Sequence, residues 1–379
     1  MIYFDYAAAT PMDKDALHVF MEASKDFYGN TSSLHNLGGM SSNLLSACRK
    51  EISMLLNVSE LSVIFTSGGT ESNILAIQTL LSALCRKKTI LSSRTEHSSI
   101  SNYLTMLEKE RRKVVYLQHT SDGQIDLQHF EYLIKTEDIS LITVQHVNPE
   151  IGCIQPIEQI RSILGERKTW LHVDAVQSFG KLDMEAVMRS ADSISISSHK
   201  IYGPKGTGAL IFPRTLPTPF YEHVSHEAGY RPGTVNVPAI AAFITAAKKA
   251  FENRENELMN LKKQRKDFIQ FLKQEDIPHT IFKSCQQAPY IIGLSFPGIQ
   301  GQYMMLELNR RGFAVSTGSA CQIGKQAPSK TMIAMGKSPD QAKELLRISL
   351  GKHVKKEDIR ALSQAAADIV RQSGIIINI

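Results

Sequence analysis

Between residues 60 and 215, short β-branched runs alternate with helical patterns, and this alternation limits the fold more than any other feature of the chain. The strand candidates are Leu61–Thr66, Thr89–Ser93, Val114–Leu117, Ser140–Gln145, Trp170–Asp174, Ser193–Ser198 and Gly208–Phe212. Helical patterns such as Thr70–Arg86, Ser98–Arg112 and Asp126–Lys135 lie between most of them. Strands separated by helices predict an α/β layer around a mostly parallel sheet. Ligands of such sheets bind beyond the carboxyl ends of the strands.

A charged helical stretch follows, roughly Pro238–Glu275, and reads as a connector between domains. Beyond it come a strand at Tyr290–Phe296, a helix at Gln302–Arg310, strands at Phe313–Ser316 and Leu346–Leu350, and a last helix at Lys356–Arg371. This pattern predicts a smaller α+β domain. The expected division is a large domain over 15–250, with 1–14 and 251–379 forming the small one. A length of 379 residues suits such an arrangement.

The formal charge of +6 comes from 43 basic and 37 acidic side chains and includes no dense Lys/Arg block, so direct nucleic-acid binding is not expected. The longest apolar run, near Ala239–Ala247, falls well short of the roughly 20 residues that span a bilayer. The opening residues have no secretory-signal pattern. The five cysteines, Cys48, Cys85, Cys153, Cys285 and Cys321, are scattered and form no CxxC pair. Neither a disulfide framework nor a metal site is expected, and a reduced, cytoplasmic setting fits best.

Four segments carry candidate chemistry. In Ser195-Ile-Ser-Ser-His-Lys200-Ile-Tyr-Gly-Pro-Lys-Gly-Thr-Gly, a β-rich run delivers Ser197, His199 and Lys200 to a glycine-rich turn. A lysine there can bond covalently to an aldehyde cofactor, although taken alone Lys200 reads more readily as a surface lysine. In His172-Val-Asp174-Ala-Val-Gln177, Asp174 closes an apolar strand, where an unpaired carboxylate is costly. It suits either a pyridinium nitrogen or a helix N-cap. The turn Phe65-Thr-Ser-Gly-Gly69-Thr70-Glu-Ser-Asn73 could bring backbone N–H groups and a helix N-terminus to a phosphate, or simply join a strand to a helix. His97, in Thr95-Glu-His-Ser-Ser99, could stack on an aromatic ring and move protons, or be an ordinary loop histidine.

Together these segments resemble the class V aminotransferase group of fold type I pyridoxal-phosphate enzymes, and within it the cysteine desulfurases of the NifS/IscS type. Further landmarks are Tyr3-Phe-Asp-Tyr-Ala-Ala-Ala-Thr-Pro11, Gly29-Asn-Thr-Ser-Ser-Leu-His35, Val147-Asn-Pro-Glu-Ile-Gly152, Arg231-Pro-Gly-Thr234, Ser316-Thr-Gly-Ser-Ala-Cys321 and Arg347-Ile-Ser-Leu-Gly351. They cover nearly the whole chain in family order. The resemblance implies a mostly parallel seven-stranded sheet with a smaller α+β domain, and pyridoxal 5'-phosphate as cofactor.

By the same resemblance, Lys200 holds the cofactor aldehyde, Asp174 pairs with the pyridine nitrogen, Gln177 with the ring oxygen, and His97 stacks on the ring. Gly69, Thr70, Ser197 and His199 bind the phosphate. Thr234 reaches the phosphate of a partner subunit, which implies a homodimer. Asn148 and Arg347 hold the substrate, L-cysteine, and Arg347 suits its carboxylate because a planar guanidinium pairs bidentately. Cys321 takes the sulfur as a persulfide and passes it to an acceptor: an iron–sulfur scaffold, a tRNA-thiolation protein or a dedicated apoenzyme.

Three positions depart from the family pattern: Tyr6, Pro149 and Ala228 stand where Asn, Asn and Arg are usual. Ala228 removes a charge and puts nearby substrate or acceptor contacts in doubt. The competing readings are selenocysteine lyase or small-amino-acid aminotransferase on the same fold, and a catalytically silent scaffold member.

Overall fold

The computed structural model describes residues 1–83, 89–221, 223–318 and 327–374. Its centre is a seven-stranded sheet. In spatial order the strands are Val63–Thr66, Gly208–Ile211, Ser193–Ser197, Trp170–Asp174, Ile139–Gln145, Thr89–Ser93 and Val114–Leu117. Gly208–Ile211 pairs antiparallel with both of its neighbours, and every other pairing is parallel. Six strands therefore share one direction, and their carboxyl ends meet along one edge. Helices cover both faces, which is why nearly every residue of these strands is buried, including the serines of Ser193–Ser197.

The strand bounds match the expected ones to within two residues. The sequence reading assigned no helix before residue 60, yet Lys14–Asp26 and Asn36–Leu56 are helical. Asn36–Leu56 opens with Gly38 and Gly39 and holds several serines, all poor helix formers. Its burial, at Cys48, Ile52 and Leu56 among others, supplies what local propensity does not.

A second core lies around an antiparallel sheet of Leu346–Ser349, Ile291–Ser295 and Thr280–Ile281. Phe4, Leu294, Phe296, Met304, Leu346 and Ile369 are among its buried residues. The N-terminal strand Ile2–Tyr3 belongs here and pairs in parallel with Phe313–Ala314. The helix Lys14–Asp26 instead packs against the start of Val237–Gln274, through Ala16, Ala242 and Ala246.

Val237–Gln274 joins the two cores. It has 38 residues, about 57 Å at 1.5 Å per residue. Its start is fixed by Asn236, whose side chain accepts from Ala239 N, and by Pro238 in the first turn. Ile240, Phe243 and Ile244 are buried in the first core, and Leu261, Phe268 and Leu272 in the second. No helix of the described residues is long and apolar enough to cross a membrane.

Candidate active site

A cavity of about 660 Å³ opens where the parallel strands end, between the two cores. Its floor is built from strand ends and the turns that leave them, including Asp174, Gln145, Ser197 and the Gly68–Gly69 turn. Arg347 and Gly318 reach it from the small domain, and Ala7, Ala8 and Ala9 from the N-terminal segment.

Asp174 closes its strand and is buried. Its Oδ1 accepts from Val176 N at 3.0 Å, a local turn bond, and its Oδ2 accepts from Asn73 Nδ2 at 2.8 Å. Each oxygen keeps accepting capacity toward the cavity. Gln177 donates Nε2 to Ala7 O at 2.9 Å, while its buried Oε1 has no hydrogen-bond partner among the described residues.

Lys200 lies in the short turn that follows the strand Ser193–Ser197. Its Nζ donates to Ala7 O at 2.6 Å and Ala8 O at 2.8 Å. The N-terminal segment that supplies these carbonyls is laced along the Lys200 turn. Thr10 donates N and Oγ1 to His199 O, each at 2.9 Å, and its Oγ1 accepts from Tyr202 N at 2.7 Å. His199 Nδ1 pairs with Ser197 Oγ at 2.9 Å. Burial, followed by the charge of Lys200, lowers the His199 pKa to about 4.

The start of the helix Gly69–Ser82 forms the third wall. Gly68 has φ +143°, a region that favours glycine. No side chain caps this helix, so its first-turn amides face an anion site. A Cβ on Gly69 would come within 2.6 Å of Val176 Cγ2, so the cradle admits no side chain there without movement. Thr70 stands at its rim.

His97 caps the helix Ser98–Lys109: its Nδ1 accepts from Ser99 N at 3.2 Å and lies 2.9 Å from Ser99 Oγ. Glu96 points inward and accepts from Gln145 N at 2.8 Å. Burial, then the nearby Asp174 charge, raises its pKa well above the usual range.

Arg347 lines the cavity, with Nη2 on Asp5 Oδ1 at 2.7 Å and Nη1 on Pro149 O at 3.1 Å. Pro149 thus contributes a carbonyl that needs no particular side chain. Asn148 does not line the cavity. Its Oδ1 accepts from Glu150 N and Ile151 N at 2.9 and 3.0 Å, and its Nδ2 donates to Thr331 Oγ1 at 2.9 Å, so the amide staples a turn. Tyr6 is buried, edge-on to Tyr3 at 5.1 Å, and its ring fills the space a Cβ on Gly351 would need. Ala228 and Thr234 are exposed and lie outside the cavity lining. Cys321 lies outside the described residues.

The family model for class-V aminotransferases matches residues 2–362. This chain belongs to the class-V aminotransferase family. The family works with pyridoxal phosphate, and the site's donors fit that cofactor: an uncapped helix start for the phosphate, and a buried carboxylate and an orphan amide oxygen for the ring. Among class-V relatives, a Bacillus subtilis protein assigned as a NifS cysteine desulfurase is 40% identical over 96% of this chain and 93% of its own. The cysteine desulfurase IscS 1 of Archaeoglobus fulgidus is 33% identical over 98% and 97%. A solved NifS-like protein superposes with a TM-score of 0.88 at 28% identity, covering 98% of this chain and 99% of its own. SspA, solved in complex with cysteine, gives 0.80 at 29% identity over 92% and 99%.

Asn73, Ser99 and Asp5 were not singled out from sequence. Each lay inside a motif quoted for another residue, and only the fold reveals which partners they meet.

Proposed function

We propose that this chain is a pyridoxal-phosphate-dependent cysteine desulfurase, taking sulfur from L-cysteine, releasing L-alanine and holding the sulfur as a Cys321 persulfide. The observation that carries this reading is the convergence of Lys200, Asp174, His97 and Arg347, from distant segments, on one strand-end cavity. Near full-length similarity to cysteine desulfurases supports the reaction.

When bound, pyridoxal phosphate supplies an aldehyde that bonds to amines and a ring that takes up electrons from the substrate α-carbon. Lys200 would hold the aldehyde through its Nζ, and the same amine would move the substrate α-proton. Asp174 pairs with the ring nitrogen and keeps it protonated. Gln177 serves the ring oxygen, and His97 the ring face. Gly69, Thr70, Ser197 and neutral His199 bind the phosphate by hydrogen bonds. Arg347 pairs with the substrate carboxylate, and Asn148 acts through the turn that sets Pro149 and Glu150.

The nucleophile is the thiolate, and because free cysteine has a pKa of about 8.5, the Cys321 thiol must lose its proton before it attacks. The thiolate attacks the substrate sulfur. An S–S bond forms, the C–S bond breaks with its electron pair left on the substrate, and a proton there completes alanine. His97 would exchange protons with the incoming thiols.

A homodimer accommodates Thr234, which is exposed and would serve a partner's phosphate. Tyr28 and Leu34, at 68% and 105% exposure, are apolar surface that a second copy would cover. An acceptor protein in a cytoplasmic setting completes the reading.

The test is an alanine assay with L-cysteine and a visible spectrum, for the wild type and Cys321→Ala. The wild type should form alanine, and Cys321→Ala should keep the cofactor absorbance while losing turnover. Normal turnover by Cys321→Ala would remove the proposed role of that thiol.

A further inference from the structure

Asp174 and His97, on different elements, are held by the same side chain. Asn73 Nδ2 donates to Asp174 Oδ2 at 2.8 Å and to Ser99 Oγ at 3.0 Å. Ser99 Oγ lies 2.9 Å from His97 Nδ1. On the other side of the amide, Asn73 Oδ1 lies 3.0 Å from His172 Nε2, and His172 Nδ1 lies 2.8 Å from Ser193 Oγ. Asn73, His172 and Ser193 are essentially buried, so each of these bonds forms away from competing water.

The bonds fix one another's direction. Asn73 gives both Nδ2 protons away, so its Oδ1 accepts, and His172 must donate from Nε2. His172 Nδ1 then accepts from the Ser193 hydroxyl. Burial lowers the His172 pKa to about 3, consistent with the single neutral tautomer this chain requires. Ser99, with its oxygen engaged by Asn73, turns its hydroxyl proton toward His97 Nδ1. That nitrogen also accepts from Ser99 N, so a neutral His97 carries its proton on Nε2.

We propose that Asn73 is the positioning residue of the cofactor site: one amide, its orientation locked by His172, sets Asp174 for the ring nitrogen and, through Ser99, His97 for the ring face. This rests on the pyridoxal-phosphate reading above. None of the three residues is offered as a reacting group.

The experiment loads purified wild type, Asn73→Ala, Ser99→Ala, His172→Phe and His172→Gln with pyridoxal phosphate labelled with ¹⁵N in its ring. Three quantities are read: cofactor affinity by fluorescence titration, the ring ¹⁵N chemical shift, and circular dichroism in the cofactor band. Asn73→Ala should weaken binding by about ten- to a hundredfold, as loss of an outer-sphere partner does at other sites. It should also move the ¹⁵N shift toward the unprotonated value and change the dichroism. Ser99→Ala should change the dichroism and leave the ¹⁵N shift in place. His172→Phe should follow Asn73→Ala, and His172→Gln, which retains an N–H donor, should restore wild-type values.

An Asn73→Ala protein with wild-type ¹⁵N shift and affinity would overturn the proposal, as would equal effects of His172→Phe and His172→Gln. If Asn73→Ala does not fold, the Ser99 and His172 variants decide between the same outcomes. A wild type that binds no pyridoxal phosphate would instead overturn the cofactor reading itself.

Discussion

Asp5 and Arg347, 342 residues apart in sequence, form an ion pair of 2.7 Å at the wall of the cavity. Arg347 is buried, and its Nε has no hydrogen-bond partner among the described residues. Asp5 therefore does two things: it offsets a buried charge and aims the guanidinium. Asp5→Ala should lower stability by about 1–3 kcal/mol, the scale of a hydrogen bond to a charged group. It should also raise the KM for L-cysteine more than it lowers kcat. Urea titration and steady-state kinetics check both.

A buried carboxylate, Glu227, guards the sheet edge. Glu227 accepts from Arg49 Nη2 at 2.6 Å and from Phe65 N at 2.7 Å, and Phe65 lies in the edge strand Val63–Thr66. Its backbone is left-handed, φ +46°, as is that of Ala228, φ +52°. Glu227→Ala would strand the Arg49 charge and cost about 3–5 kcal/mol by denaturant unfolding. Glu227→Gln, which can still accept from Phe65, should cost less.

Asp13 joins three parts of the chain. It bonds Lys249 of the long helix at 2.6 Å and Lys352 of the small domain at 2.8 Å. Burial acts to raise its pKa, but the bonds from the two lysines outweigh it and hold the carboxyl well below its ordinary 3.8. A depressed carboxylate stabilises the fold fully above its unfolded pKa, and that contribution fades as the pH falls toward the folded value. Stability should therefore drop below about pH 4, and Asp13→Asn should flatten that part of the profile. Guanidinium midpoints between neutral and acid pH measure it.

Gly69 tests the phosphate cradle through its contact with Val176, whose N–H donates to Asp174 Oδ1. A Cβ there would lie 2.6 Å from Val176 Cγ2, so the turn or Val176 must move. Gly69→Ala should weaken pyridoxal-phosphate binding by about tenfold or more, equivalent to 1.4 kcal/mol, with little change in the melting point of the cofactor-free protein. Fluorescence titration and calorimetry separate the two.

The large sheet was legible in the sequence because short strand-like runs alternate with helical patterns, as Ile139–Gln145 and Trp170–Asp174 do on either side of the helix Ile157–Leu164. The candidate site was legible at the strand ends, where Asp174 follows Val173 and where Lys200 follows His199 just past Ser193–Ser197. The hydrogen bond between His172 and Asn73 spans 99 residues, and no local pattern marks it. Asp5 was equally silent: its role depends on Arg347, which arrives only with the last strand. Asn148 lay in a motif that pointed to substrate, yet its amide is engaged by the turn it begins and by Thr331.

The strand Ile2–Tyr3 pairs with Phe313–Ala314, and the carbonyls that hold Lys200 come from the residues just after it. During translation Ile2 waits for a pairing partner, Phe313, made 311 residues later. At 5–20 residues per second the delay is on the order of 15–60 s. Over that interval Ile2–Tyr3 lacks its strand partner and is open to proteases and chaperones. Substitutions in Ile2–Tyr3 that weaken this pairing should impair maturation out of proportion to the two residues they disturb.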